Sequence, residues 1–307
     1  MDKIDEKILG ELISNSRIPV TILAKKLRIS REVANYRISR LVKEGIIKEF
    51  TTEIEHIGFI GAAVFINIKA SKEEEFKEYL MKLNFVSWVS QLSGIWNFGM
   101  SIYGRNNKEL DERFLEIYDK FKEDIIDHRF TLHKKSTFFY KKYFSMKDDK
   151  IKILRPKNSD TINKTILKRL SKDSRMNTLD IAKELKLTGP AVAKRIKALE
   201  TSNILRYSIF IDISKIGLYQ YSIFVKNKDI FSRKKLIPYL SLHPNVSFIA
   251  EYIGEEFLEF GVFVKDPYDL RKIVQSIEQT FPENRVIEVS LFQKDIISIG
   301  QPECFFE

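Results

Sequence analysis

The sequence predicts an α+β chain in which two winged helix-turn-helix domains alternate with two ferredoxin-like βαββαβ domains. Three observations predict it: an internal repeat, a helix–helix–turn–helix–strand pattern at the start of each copy, and a change of hydrophobic period after it. In the repeat, Ile4, Ile8, Leu9 and Leu12 fall on Ile162, Ile166, Leu167 and Leu170. Asn15-Ser16-Arg17 falls on Asp173-Ser174-Arg175, and Arg37, Ile38 and Leu41 fall on Arg195, Ile196 and Leu199. The offset is 199 − 41 = 158; it grows to 217 − 58 = 159 at the Ile-Gly pairs and to 254 − 94 = 160 at Gly254. So few insertions make the chain a tandem duplication of one unit of roughly 150 residues, a common domain size.

In the first copy, residues 2–15 carry an apolar stripe at helical spacing, and Ile18-Pro19 ends it. Thr21 is placed to cap a second helix, ILAKKL. After a turn at Arg28-Ile29, Ser30 caps a third helix whose inward face is Ala34, Ile38 and Leu41, with Gly45 as its left-handed end. Residues 46–54 form the wing. The period then changes. Residues 61–70 read as a strand and 71–83 as a helix capped by Ser71. Strands follow at 86–93 and 97–103, then a helix at 107–123 capped by Asn107, and a strand at 127–144. The domains expected are therefore 1–55 and 60–145, a polar connector at 146–159, then 160–212 and 216–307, with Phe305-Phe306 of the tail docked on the sheet.

The totals limit the function. With 307 residues, 44% of them hydrophobic, the chain can bury several cores. A single cysteine, Cys304, excludes an intrachain disulfide, and four scattered histidines offer no zinc spacing. No apolar run approaches membrane-spanning length and MDKIDEKIL lacks the form of a signal peptide, so no membrane partner and a cytoplasmic location are expected. The net charge of +10 favours a polyanion.

The third helix, SREVANYRISRL, supplies the chemistry. Its outward face suits a DNA major groove, with Asn35 and Arg40 as direct base contacts and Ser39 beside them. Tyr36 suits a sugar or phosphate, and Arg31, Arg37 and Lys43 suit phosphates. The equivalent helix, TGPAVAKRIKAL, starts at Thr188 and is plainer: Lys194, Arg195 and Lys197 suit phosphates, but the base-reading Asn and Arg are missing. As solvated helices with a few cations these faces would be unremarkable; their repetition favours DNA.

The first copy resembles the Lrp/AsnC family of transcription regulators. The resemblance rests on Ile4-Asp5, Ile8-Leu9, Asn15-Ser16-Arg17, Leu23 to Leu27, Arg37 to Leu41, Glu44 to Ile47, Ile57-Gly58 and Gly94-Ile95-Trp96-Asn97. It implies a DNA-binding domain joined to a dimerising domain, called RAM, that binds small effectors such as amino acids. It thus implies double-stranded DNA as partner, an intrachain pseudo-dimer or homo-oligomer through the RAM-like domains, and no cofactor. Gly94, Trp96 and Asn97 become effector-site candidates, weighed against a plain β-turn. The second copy has Gly254-Glu255-Glu256-Phe257 there, an altered or lost pocket.

Nothing in the sequence argues for an enzyme. His128 and His133 sit at odd separation on one strand and face opposite sides. Two alternatives of other classes remain: a haem-biosynthesis decarboxylase built on the same scaffold, and an effector sensor that binds no DNA.

Overall fold

A computed structural model of the chain describes residues 1–54, 58–144, 160–255, 257–297 and 302–307. The expected connector, 146–159, lies outside the described residues. In chain order the first copy comprises α1 (Lys3–Ser14), α2 (Val20–Leu27), α3 (Arg31–Lys43), β1 (Ile47–Ile54), β2 (Ile60–Ile68), α4 (Glu73–Leu80), β3 (Val86–Ser93), β4 (Phe98–Gly104), α5 (Asn107–Phe121), β5 (Ile125–Phe138) and α6 (Tyr140–Tyr143). The second comprises α7 (Thr161–Lys172), α8 (Thr178–Leu185), α9 (Gly189–Thr201), β6 (Leu205–Ile211), β7 (Tyr219–Lys226), α10 (Ile230–Leu242), β8 (Val246–Tyr252), β9 (Phe257–Val264), α11 (Pro267–Thr280) and β10 (Arg285–Ile297).

The chain divides into two compact units, and neither is one copy of the repeat. Residues 1–57, 144–216 and 299–307 gather both helix-turn-helix domains; residues 58–143 and 217–298 gather both βαββαβ domains. Like has paired with like.

In the helix-turn-helix unit, the same local rules build each half. Asp2 caps α1 and forms a capping box with Asp5; Asp160 caps α7. Arg28 and Lys186 take left-handed conformations (φ 56° and 54°) to turn the chain into α3 and α9. Gly45 and Asn203 do the same after those helices (φ 70° and 58°), as their residue types predict. Each wing strand finds its partner in the other half: β1 runs antiparallel to β6, with Glu53 opposite Arg206. The repeated Ser-Arg pair completes the junction. Arg17 Nη1 donates to the carbonyls of Ser174 and Met176 (2.7 and 3.0 Å), and Arg175 Nε donates to that of Ser16 (2.8 Å). The two serine hydroxyls meet at 2.6 Å in full burial. These reciprocal bonds satisfy backbone groups that burial would otherwise leave unpaired.

The other unit is a closed eight-stranded antiparallel barrel in the order β10-β3-β4-β2-β5-β8-β9-β7. Each half contributes four strands, and at both seams the last strand of one half pairs with the second strand of the other: His133 lies opposite Tyr252, and Phe292 opposite Leu92. One face of each strand meets the helices, where Phe114 of α5 packs on His128 and Phe130 at 5.5 and 5.0 Å. The other face points into the barrel, where Ala63, Phe65, Leu92, Trp96, Phe224, Phe248, Ala250, Tyr252 and Phe257 form one cluster.

Several expected boundaries shift. Pro19, not Thr21, stands at the cap of α2, because a proline fixes the right φ at a helix start. Ser71 falls inside a 3-10 turn that precedes α4, and among the described residues no side chain caps that helix. Asn106 rather than Asn107 caps α5, accepting from the Glu109 amide at 3.0 Å. The closing strand ends at Phe138, since Phe139 turns into the core beneath α10 and α11 and the chain coils into α6. In the tail, Phe306 packs against the core of the second helix-turn-helix domain, not on a βαββαβ sheet, and Glu303 pairs with Lys168 and Lys172 (3.7 and 3.2 Å).

Candidate nucleic-acid interface

Ala34, Ile38 and Leu41 are buried and anchor α3, which turns the residues between them outward. Arg31, Asn35, Tyr36, Ser39 and Lys43 are all exposed, Tyr36 at 67%. Among the described residues no ion pair or side-chain hydrogen bond holds Asn35, Tyr36, Ser39 or Lys43. Ser30 is exposed, but its hydroxyl accepts from the Val33 amide at 3.2 Å. Arg31 flanks Glu32, whose carboxyl is held below its ordinary value chiefly by its own backbone amide and the Ser30 hydroxyl.

The two remaining arginines of α3 are engaged. Arg37 Nη1 donates to Asp2 and Asp5 (2.7 and 2.8 Å), and Arg40 Nη2 donates to the other oxygen of Asp5 at 2.5 Å. Asp5 is only 1% exposed, so it needs both cations. Arg40 also lies 3.8 Å from Glu44. Asp2, accepting from the Asp5 amide and from Arg37, is held down to about 2. This cluster pins α3 to α1. It removes Arg40 from the free base-reading set in which the sequence placed it beside Asn35. A buried aspartate on a helix one turn from its cap was the legible sign, and the sequence reading passed over Asp5.

The second half keeps part of the cluster. Arg195 donates to Asp160 (2.6 Å) and to Asn163 (3.1 Å), the residue at the place of Asp5. Asp160 is lowered by the Asn163 amide first and Arg195 second. Thr188 caps α9 by accepting from the Ala191 amide (3.3 Å). Lys194 is exposed, and Lys197 reaches Glu200 only at 3.6 Å. Ala193 and Ala198 stand where α3 has Asn35 and Arg40.

The barrel holds the effector-site candidates and assigns them different tasks. A Cβ on Gly94 would sit 2.7 Å from the Ser290 hydroxyl, so glycine lets that loop lie on β10. Asn97 laces the end of β2 to α4: its Nδ2 donates to Ile68 O (2.7 Å) and Glu73 (3.0 Å), and its Oδ1 accepts from Ile68 N (3.0 Å). Trp96, 3% exposed, is inserted between them into the barrel, where its indole Nε1 has no hydrogen-bond partner among the described residues. Around it lie groups that sequence reading missed. Arg129 stands 5.0, 5.3 and 5.2 Å from the rings of Trp96, Phe224 and Phe257, and pairs with Glu288 at 3.1 Å. Glu259 accepts from the Ser222 hydroxyl (2.5 Å) and from the Tyr252 hydroxyl; burial pushes it up to about 7. His133 stacks on Tyr252 at 5.7 Å and burial pushes it down to about 4, while His128 lies on the opposite, exposed face, as its position predicts. Charged residues inside the strand patterns FLEFGVFV and DHRFTLH were the available signal. Among the described residues no group of three or more His, Cys, Asp or Glu is placed to hold a metal, and no helix is long and apolar enough to cross a membrane.

Both copies match known models: residues 1–48 a winged helix-turn-helix DNA-binding domain, and residues 160–200 an AsnC-type helix-turn-helix domain. The chain is 32% identical over 129 residues to an uncharacterized HTH-type transcriptional regulator of Pyrococcus horikoshii, PH1916, covering 40% of this chain and 84% of that protein. It is 32% identical over 117 residues to the HTH-type transcriptional regulator LysM of Sulfurisphaera tokodaii, covering 36% of this chain and 84% of LysM. Across its whole length the fold is similar to that of the siroheme decarboxylase NirDL, with a TM-score of 0.65 at 14% identity over 99% of this chain and 97% of that one. The fold and its two exposed recognition helices thus define a helix-turn-helix regulator of DNA-binding type. The chain belongs to the Lrp/AsnC family of transcriptional regulators, in a tandem-duplicated form.

Proposed function

We propose that this chain is a sequence-specific DNA-binding regulator that reads an asymmetric site with two unlike helices. The observation that carries this reading is the pair of recognition helices in one compact unit, α3 offering free Asn35, Tyr36 and Ser39, and α9 offering Lys194 and Lys197. Asn35 has the paired donor and acceptor that match the major-groove edge of adenine. Tyr36 and Ser39 line the same groove. Arg31, Lys43, Lys194 and Lys197 neutralise phosphates, which positions the protein and makes binding salt-dependent. Ser30 and Thr188 set the helix starts. Arg37, Arg40 and Arg195 hold the helices in place.

Selection of binding sites from a random duplex pool tests this. The expected result is a motif with one base-specific half and one weakly specified half about 34 Å away. A perfect palindrome bound by a single chain overturns it. Such a protein works in the cytoplasm, on chromosomal DNA, and pairs its RAM-like domains within the chain.

A second reading, decarboxylation of a tetrapyrrole, draws only on the likeness of fold to NirDL. A tetrapyrrole absorbance band in the purified protein, with no retention of duplex DNA at low salt, would favour it over regulation.

A further inference from the structure

We infer that residues 302–307 form a strap that masks a phosphate-binding lysine stripe on α7, and that the backbone of duplex DNA displaces it. The inference rests on the DNA-binding reading and adds to it a second contact surface and a control on that surface.

Lys164, Lys168 and Lys172 recur every four residues, so they share one face of α7. They span about 12 Å of that helix. At the repeat's offset of 158 they fall on Glu6, Gly10 and Ser14 of α1, so the first copy has no such stripe. Like charges at this spacing destabilise a helix, and an anion laid along them relieves the repulsion. The strap meets all three lysines. Glu303 lies 3.7 Å from Lys168 and 3.2 Å from Lys172, and the Lys164 ammonium donates to the Glu307 carbonyl. Residues 303 to 307 therefore run antiparallel to α7. The Glu303 carboxyl is held below its ordinary value, first by its hydrogen bond from Lys172 and then by the charge of Lys168.

The grip of the strap is apolar on one side and electrostatic on the other. Cys304 is buried, and Phe306 packs against the core that contains Ile166 and Leu170 of α7. The ion pairs are open to water, with the Glu303 side chain 52% and that of Lys172 56% exposed. Pairs of that kind hold weakly and are screened by salt. Glu303 also answers two ammonium groups with one carboxylate. A DNA duplex carries a negative charge about every 1.7 Å of its axis, so it meets the stripe with a denser row of anions. DNA is favoured over other polyanions by the place of α7. That helix lies in the same compact unit as both recognition helices, and its start abuts α9, where Arg195 donates to Asp160 and Asn163. Added phosphate contacts also suit the half whose recognition helix has alanines at the places of Asn35 and Arg40.

Cys304 is the single cysteine of the chain and is 1% exposed, so its alkylation reports release of the strap. The unaltered chain is treated with N-ethylmaleimide at low salt, with and without excess random-sequence duplex, and followed by mass. The duplex is expected to speed alkylation about tenfold or more, because it frees the strap locally. Binding stabilises the folded chain, so global unfolding cannot supply that acceleration. Lys168→Gln combined with Lys172→Gln is expected to abolish the acceleration while the duplex is still retained. Glu303→Gln is expected to bind random duplex about threefold more tightly and to steepen the slope of log affinity against log salt by about one. Retention of the duplex with an unchanged alkylation rate overturns the strap. So does acceleration that persists in the lysine variant, or a Glu303→Gln chain with an unaltered salt slope. No retention of duplex by any of these chains overturns the DNA-binding reading, and the inference with it.

Discussion

The two halves of this chain share their scaffold and differ in what the scaffold displays. In the helix-turn-helix unit the buried stripe Ala34, Ile38, Leu41 returns as Val192, Ile196, Leu199, and the caps Ser30 and Thr188 do the same work. The outward triplet Asn35, Tyr36, Ser39 returns as Ala193, Lys194, Lys197. In the barrel the divergence goes further. Arg129 and Glu288 occupy equivalent positions, 159 residues apart, and they pair with each other. Gly99 corresponds to Glu259, Leu92 to Tyr252 and His133 to Phe292, as the matching strand registers show. Two identical subunits would place Arg129 against Arg129, or Glu288 against Glu288. A duplicated chain is free of that restriction, so its centre can hold a charge pair that a symmetric dimer cannot.

The largest effect is expected from restoring symmetry at that pair. Arg129→Glu puts two carboxylates opposite each other and should cost about 3 kcal/mol in chemical denaturation, since breaking a buried pair leaves an uncompensated charge. The exchange Arg129→Glu with Glu288→Arg should recover most of that loss. If the exchange is as unstable as the single change, the aromatic cage and not the charge pair determines the arrangement.

The next comparison is between Glu259 and His133, which occur in unlike halves and titrate in opposite senses. Glu259 rises from 4.5 to about 7, so the folded chain holds an extra proton there and loses stability as pH rises through that window. His133 falls from 6.5 to about 4, so the folded chain holds one proton fewer and gains stability as pH rises from 4 to 6.5. Over the shared window the slopes cancel. Glu259→Gln should therefore expose a rising limb, and His133→Phe, which copies its counterpart Phe292, a falling one. Each limb amounts to about 3 kcal/mol, read from urea midpoints across the pH series.

In the interface, Asn35→Ala should lose about 1–3 kcal/mol of discrimination at one base position, while Lys194→Ala should weaken all sites alike and lower the salt slope by about one. Arg40→Ala should leave the ranking of sites unchanged and reduce stability by about 1 kcal/mol, because it takes one of two cations from Asp5. A changed ranking would return Arg40 to the base-reading set. Ser30→Ala and Thr188→Ala should likewise each cost about 1 kcal/mol, through a lost helix cap; equal losses would confirm that the caps are indifferent to the divergence around them.

The sequence alone determined what depends on near neighbours. Periodicity placed the helices and strands, the fixed offset exposed the duplication, and Gly45 and Asn203 marked left-handed helix ends because few residue types tolerate positive φ. Opposite faces for His128 and His133 followed from the two-residue repeat of a strand. The tertiary structure alone decided the meetings of distant residues. Nothing local says that β1 pairs with β6, that Arg17 and Arg175 bond the opposite half, or that Arg40 pairs with Asp5. The same holds for Arg129, Glu259 and Glu288. Each reads as a charge interrupting an apolar strand until barrel closure brings them together. Burial then fixes what each can do, because a charge shut away from water must find a partner, a proton or a ligand.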